Sequence, residues 1–192
     1  MKKYIRKIAA FAIFLSLFSI VSSVPVKAEE AIEVEARSAL LMEASTGKII
    51  YEKNANEKFA PASVTKIMTM LLAMEKVDRG EIKLSDQITV SETAKKMGGS
   101  TMAEYLGGSE SGFVEMMNKR AKELGMKNTT FKNCTGLPIE GHLSTAYDIS
   151  IMSRELLKHP TILKYTGTYM ETISEGRKSP IELVNHNKLV RF

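Results

Sequence analysis

The hydrophobic pattern divides this chain into a few recognisable elements. Residues 8–24 are almost wholly apolar, interrupted only by serines, and residues 29–36 are polar. Residues 38–44 read as a strand, Ser45-Thr46-Gly47 as a turn and residues 48–53 as a second strand, which together predict a hairpin. After a polar connection, Pro61-Ala62-Ser63 opens a helix, since proline suits a first turn whose N–H groups have no partner. Ile67, Met70, Leu71, Met74 and Val77 recur at three- and four-residue spacing and form its buried face, with Gly80 as the stop. Gln87-Ile88-Thr89-Val90 reads as a short extended piece.

Ala103-Glu104-Tyr105-Leu106 lies between Gly98-Gly99 and Gly107-Gly108. Four residues do not nucleate a helix alone, so this stretch reads as a join between two segments. A second helix is predicted over 112–124, with Ser111 as N-cap, Gly125 as stop, and Val114, Met117, Ala121 and Leu124 facing the core. Residues 128–137 read as loop. Ser144 caps a third predicted helix through Lys158, burying Ile149, Met152, Leu156 and Leu157, and Pro160 ends it by His159. Residues 169–173 and 181–184 predict a last hairpin around Gly176.

Charge changes the picture only at the N-terminus. Residues 1–7 are basic and Val26-Lys27-Ala28 offers small residues at two cleavage-site positions, so 1–28 reads as a secretory signal cleaved after Ala28. The alternative is an uncleaved anchor, for which the apolar run is short of the ~20 residues of a spanning helix. Five of the 27 basic residues lie before Glu29, leaving 22 to balance the 22 acidic ones. The mature chain is thus neutral, and no basic patch for nucleic acid survives. Cys134, the sole cysteine, excludes an intramolecular disulfide and reads as a small, partly buried side chain. His142, His159 and His186 have no metal-ligand spacing, and no metal or cofactor is expected.

Two Ser-x-x-Lys matches carry candidate chemistry, Ser45/Lys48 and Ser63/Lys66. The first falls in a predicted turn, where side chains three apart need not meet. The second falls on the first turn of a helix, where positions i and i+3 share a face about 5–6 Å apart. A lysine amine in such a position can take the proton of the serine hydroxyl and make it a nucleophile. The helix N-terminus adds partial positive charge, and the Ser63 N–H could form half of an oxyanion hole. The plainer alternative is that Ser63 caps the helix and Lys66 is solvated.

The surrounding residues are longer than that motif. Residues 39–55, with Thr46-Gly47-Lys48-Ile49-Ile50-Tyr51-Glu52-Lys53, and then Pro61-Ala62-Ser63-Val64-Thr65-Lys66-Ile67-Met68-Thr69 resemble the serine-type D-alanyl-D-alanine carboxypeptidases, the low-molecular-mass penicillin-binding proteins of peptidase family S11. Met97-Gly98-Gly99-Ser100, Leu124-Gly125-Met126, Gly136-Leu137-Pro138, His142-Leu143-Ser144-Thr145-Ala146 with Asp148, and Asn185-His186-Asn187 with Leu189 fit the same pattern. The resemblance covers residues 29–192 as a partial catalytic domain. It implies an α/β (α+β) fold of the penicillin-binding protein and β-lactamase type, an antiparallel sheet flanked by helices, incomplete here. It implies peptidoglycan stem peptides ending in D-Ala-D-Ala as substrate and β-lactams as covalent inhibitors. Ser63 would be the acyl-ester nucleophile and Lys66 the proton acceptor, without cofactor, in the cell envelope or outside the cell.

The sequence departs from that family at two points. The family's sites also use a Ser-x-Asn and a Lys-Thr-Gly element. No serine here has Asn two places on, no Tyr-x-Asn replaces it, and the nearest to the third element is Lys178-Ser179-Pro180. The resemblance places the second element between Ser100 and Ala103, and the third after the Asn185 segment, so an internal deletion and a C-terminal truncation are expected. Three readings therefore stand beside a working carboxypeptidase: a non-catalytic envelope protein that binds wall peptide, a β-lactamase-like amidase, and a piece of a longer reading frame.

Overall fold

The computed structural model describes residues 3–4, 33–92, 101–174, 178–187 and 190. The chain divides into two units, Met1–Glu35 and Ala36–Phe192, and the account below concerns the second. The expected signal (1–28) apart from Lys3 and Tyr4, the Met97-Gly98-Gly99-Ser100 segment, Gly176 and Leu189 lie outside the described residues.

The first hairpin forms as expected: β1 (Ala39–Met42) pairs antiparallel with β2 (Ile49–Lys53), Leu40 opposite Glu52 and Leu41 opposite Tyr51. Its turn is built by Glu43, whose carboxylate accepts the backbone N–H groups of Ser45 and Thr46 and both hydroxyls. Those four donors hold the Glu43 carboxyl down at about 2. Arg154 closes the turn from outside, donating to the carbonyls of Ala44 and Ser45.

Residues 62–65 form a 3₁₀ turn that leads into α1 (Lys66–Asp78). The helix ends as its sequence predicts, with Gly80 N–H bonded to Val77 O and Glu81 N–H to Lys76 O. Residues 87–90 carry no strand.

The residues at the expected join form a helix, α2 (Thr101–Gly107), with Ala103 and Leu106 buried. Its stability is tertiary. A methyl on Gly107 would lie 2.6 Å from Phe113 N, so only glycine lets α2 meet α3 (Glu110–Glu123) this closely. The α3 N-cap is Ser109, not Ser111. Ser109 has the extended backbone that a cap needs, and its hydroxyl accepts the Gly112 N–H at 3.0 Å.

The next helix, α4 (Ala146–Leu156), is capped by Thr145 rather than Ser144 and stops before Lys158. Thr145 Oγ1 accepts from Asp148 N–H. Ser144 is committed elsewhere, its backbone to Phe59 and its hydroxyl to Thr129. Leu157, expected in the core, lies just past the helix and is 48 % exposed. Pro160 does more than end α4: it starts α5 (Pro160–Thr166), whose Ile162 is buried. The last hairpin forms as predicted, β3 (Met170–Ile173) antiparallel to β4 (Ile181–Val184), exposed on both faces. Asn185 ties it to the end of α5 through the carbonyls of Thr166 and Thr168.

The core lies between α1, α2, α3 and α4. Met68, Met74, Met117, Met126 and Met152 fill it, flexible side chains suited to irregular gaps. Phe131 and Cys134 close it from the loop after α3, and Cys134 is fully buried. That loop is pinned from three sides. Asn118 on α3 brackets Phe131, donating to its carbonyl at 2.8 Å and accepting its N–H at 2.9 Å. Asp148 on α4 accepts from Asn128 N–H and the Thr129 hydroxyl. Residues 143–144 then bridge Thr130 on one side and Phe59 on the other.

Candidate active site

Ser63 sits on the 3₁₀ turn and Lys66 begins α1, so the pair is one step different from two residues on an α-helical first turn. In a 3₁₀ turn side chains three apart eclipse each other. The Lys66 N–H bonds back to the carbonyls of Ser63 and Val64, which fixes the turn. Both residues are exposed. Among the described residues no hydrogen bond joins Ser63 Oγ to Lys66 Nζ, and both heads stand open to a reactant. Ser45 and Lys48 are not a second pair: Ser45 Oγ bonds to Glu43 in the hairpin turn.

Ala62, just before the serine, has φ +47, a left-handed conformation that an alanine adopts at a cost of about 1–2 kcal/mol. Strain of this kind persists only where the surroundings impose it. Here the neighbour is Gly136, which lies against the Ala62 carbonyl and the Ser63 nitrogen. Gly136 is itself placed by Asn133, whose Oδ1 accepts the Gly136 N–H at 2.7 Å and whose Nδ2 donates to Leu137 O.

On the inner side of the turn, Thr65 is completely buried and its hydroxyl lies 2.8 Å from Nε2 of buried His142. Burial pushes the His142 imidazole below its ordinary value, since the charged form is the one desolvation penalises. One helical turn on, Thr69 donates to Cys134 O. The loop 130–144 therefore supports the Ser63 turn from below. In the sequence Gly136 and His142 stand out as parts of the family pattern, whereas no local signal marks Asn133 or Thr65 as supports of the turn.

A groove of about 460 Å³ runs between β1 and α4, lined by Leu40, Met42, Val64 and Ile149 among others. Val64 puts it beside the serine turn, but neither Ser63 nor Lys66 lines it. Among the described residues no group of three or more His, Cys, Asp or Glu side chains could hold a metal. His159 pairs with Asp78. No helix among the described residues is long and apolar enough to cross a membrane.

A family model for D-alanyl-D-alanine carboxypeptidases, Peptidase_S11, matches residues 25–101 and 99–192 in two stretches that meet where α2 begins. The chain is 49% identical over 187 residues to D-alanyl-D-alanine carboxypeptidase DacF of Bacillus subtilis, covering 82% of this chain and 48% of that protein. It is 33% identical over 188 residues to DacC of Escherichia coli, covering 80% and 47%. It therefore spans about half the length of these curated relatives. Among solved structures, DacD of Francisella tularensis superimposes with a TM-score of 0.73 at 28% identity, covering 78% of this chain and 44% of that one. Penicillin-binding protein D2 of Listeria monocytogenes, solved in its ampicillin-bound form, matches with a TM-score of 0.67 at 28% identity, covering 85% and 77%. The fold is that of the penicillin-binding DD-peptidases, α+β, and the chain belongs to the D-alanyl-D-alanine carboxypeptidase family, peptidase S11.

Proposed function

We propose that residues 29–192 carry the acylation centre of a serine-type D-Ala-D-Ala carboxypeptidase, with Ser63 as nucleophile and Lys66 as proton acceptor. The observation that carries this reading is the single exposed turn that presents both side chains above a pinned loop. Lys66 takes the Ser63 Oγ proton while Oγ attacks the carbonyl carbon of the penultimate D-alanine of a stem peptide. The resulting oxyanion is stabilised by the Ser63 N–H and the positive end of α1. Collapse breaks the peptide bond, the proton on Lys66 passes to the departing D-alanine amine, and an ester remains on Ser63. Water then hydrolyses that ester and returns the proton to the serine. A β-lactam carbonyl would be attacked in the same way.

A second reading, an envelope protein that keeps the scaffold and binds wall peptide without turnover, draws support from the internal junction before α2, where the two stretches of the family match meet with no Ser-x-Asn element between them. Labelling of the folded chain with a fluorescent penicillin separates the two. The carboxypeptidase reading expects a covalent adduct on Ser63 that disappears in Ser63→Ala and falls at least about 100-fold in Lys66→Ala. No adduct on Ser63 in folded protein ends it, and muropeptide binding that survives Ser63→Ala then supports the second reading. The proposed compartment is the cell envelope, reached by cleavage after Ala28, so the exported protein should begin at Glu29. An N-terminal sequence starting elsewhere overturns that assignment.

A further inference from the structure

His142 is 1 % exposed, lies under the Ser63 turn, and has a different partner on each ring nitrogen. Nδ1 lies 2.9 Å from the backbone nitrogen of Lys132, an N–H that can only donate. Nδ1 therefore accepts and carries no proton. Nε2 lies 2.8 Å from Thr65 Oγ1. A neutral imidazole holds one proton, so that proton is on Nε2 and is donated to the threonine. The reverse arrangement, with both nitrogens accepting, would require an imidazolate and is excluded at any ordinary pH.

Thr65 is the one buried residue of the segment that bears the reacting pair, lying two positions after Ser63 and one before Lys66. It occupies the N-cap position of α1 with helical dihedrals, and its hydroxyl makes no cap bond. Its side chain is thus free to act as a tether rather than a cap. At the other end of the tether, the edge of the Phe131 ring meets the imidazole, centroids 5.9 Å apart, and Phe131 is in turn held by Asn118.

We propose that His142, as a neutral imidazole protonated on Nε2, is the positioning residue of the Ser63–Lys66 turn, tying Thr65 to the loop 130–144 and releasing the turn when acid protonates the ring. The proposal rests on the carboxypeptidase reading for its consequence, but the hydrogen-bond chain stands without it. A second proton can only enter at Nδ1, where it would face the Lys132 N–H, donor against donor, at 2.9 Å. The charged residues on the segments around the ring are Lys66 on the turn, Lys132 and Glu140 on the loop, and Asp148 on α4. Burial lowers the ring's titration. The sign follows. A ring whose folded value lies below its ordinary 6.5 contributes stability that is complete above 6.5 and is lost as pH falls through the folded value.

The test uses the full chain and two readouts. Long-range ¹H–¹⁵N spectra of His142 should show Nδ1 unprotonated and Nε2 protonated at pH 7.5, with a midpoint below 6.5. The Ser63 and Lys66 amide signals should move with that same midpoint. Acylation by penicillin should fall along the same acid limb, drop about 100-fold in His142→Ala, and be partly restored, without the acid limb, in His142→Gln, whose amide can accept from Lys132 and donate to Thr65. A ring protonated on Nδ1, or turn amides blind to its titration, overturns the proposal. So does an acid limb unchanged in folded His142→Gln. If wild type is never acylated, the carboxypeptidase reading fails while the spectra still decide the role of His142.

Discussion

Gly136 touches Ala62: a methyl group built on Gly136 would lie 1.8 Å from the Ala62 carbonyl oxygen and 2.9 Å from the Ser63 nitrogen. Gly136 also has φ +86, which other residues rarely adopt. The two effects act together, so Gly136→Ala must either push the Ser63 turn outward or lose the loop. We expect a loss of at least about 2 kcal/mol in urea unfolding. Penicillin acylation of the fraction that stays folded should fall by more than tenfold, because the serine moves with Ala62. A folded Gly136→Ala with wild-type stability would mean that the two segments are not in contact.

Asn118 replaces a strand partner for Phe131, matching its N–H and its carbonyl with one amide. Asn118→Ala removes both bonds and leaves a part-buried peptide group unsatisfied, a cost of about 2–3 kcal/mol. Asn118→Asp should do no better, because a carboxylate keeps the acceptor but turns an oxygen toward Phe131 O. Hydrogen exchange reads the acceptor bond directly: the Phe131 amide should lose protection in Asn118→Ala. Equal protection in wild type and Asn118→Ala would rule the bracket out.

Ser109 and Ser111 are two hydroxyls two residues apart, and only one faces the open end of α3. Ser109→Ala should cost about 1 kcal/mol, and Ser111→Ala should stay within about 0.5 kcal/mol. Thermal unfolding of the two variants side by side is sufficient. The reverse order would restore the cap expected from the sequence.

That pair also shows what the sequence could carry. The hairpins and the end of α1 were legible because their signals are local: alternating apolar residues, Ser45-Thr46-Gly47, and Gly80 after a helical stripe. Caps were legible only to within one or two residues, since Ser109 and Ser111, or Ser144 and Thr145, offer the same hydroxyl and differ only in backbone conformation. The helix α2 was not legible, because four residues between glycines become helical only when Ala103 and Leu106 are buried and Gly107 meets Phe113. The second role of Pro160, as the first residue of α5, was hidden by its first role as a stop. At the site, Ser63 and Lys66 were visible as an i, i+3 pair. The support beneath them comes from residues some 70 positions later, Gly136 and His142, which no local spacing connects to the turn.

The last prediction concerns how the helices are held together. The Arg120 guanidinium on α3 reaches Glu75 on α1 at 2.7 Å and Glu155 on α4 at 3.2 Å, while Lys158 also bonds to Glu155. Lys158 first, and then Arg120 and other cations, hold the Glu155 carboxyl below its ordinary 4.5. A carboxylate depressed in the folded state contributes stability that is present above 4.5 and is lost as pH falls through the lowered value. Glu155→Gln should therefore cost about 0.5–1 kcal/mol at pH 7, a modest figure because these side chains remain partly exposed and screened. The cost should shrink with added salt, and shrink as pH falls below 4.5 and through the lowered folded value, where the wild-type carboxylate takes up its proton. Arg120→Met should cost more than Glu155→Gln, since it leaves Glu75 and Glu155 facing each other without their shared cation. Urea midpoints at pH 7 and pH 3 decide it. A Glu155→Gln difference that is the same at both pH values would show that the carboxylate charge contributes nothing to joining α3 and α4.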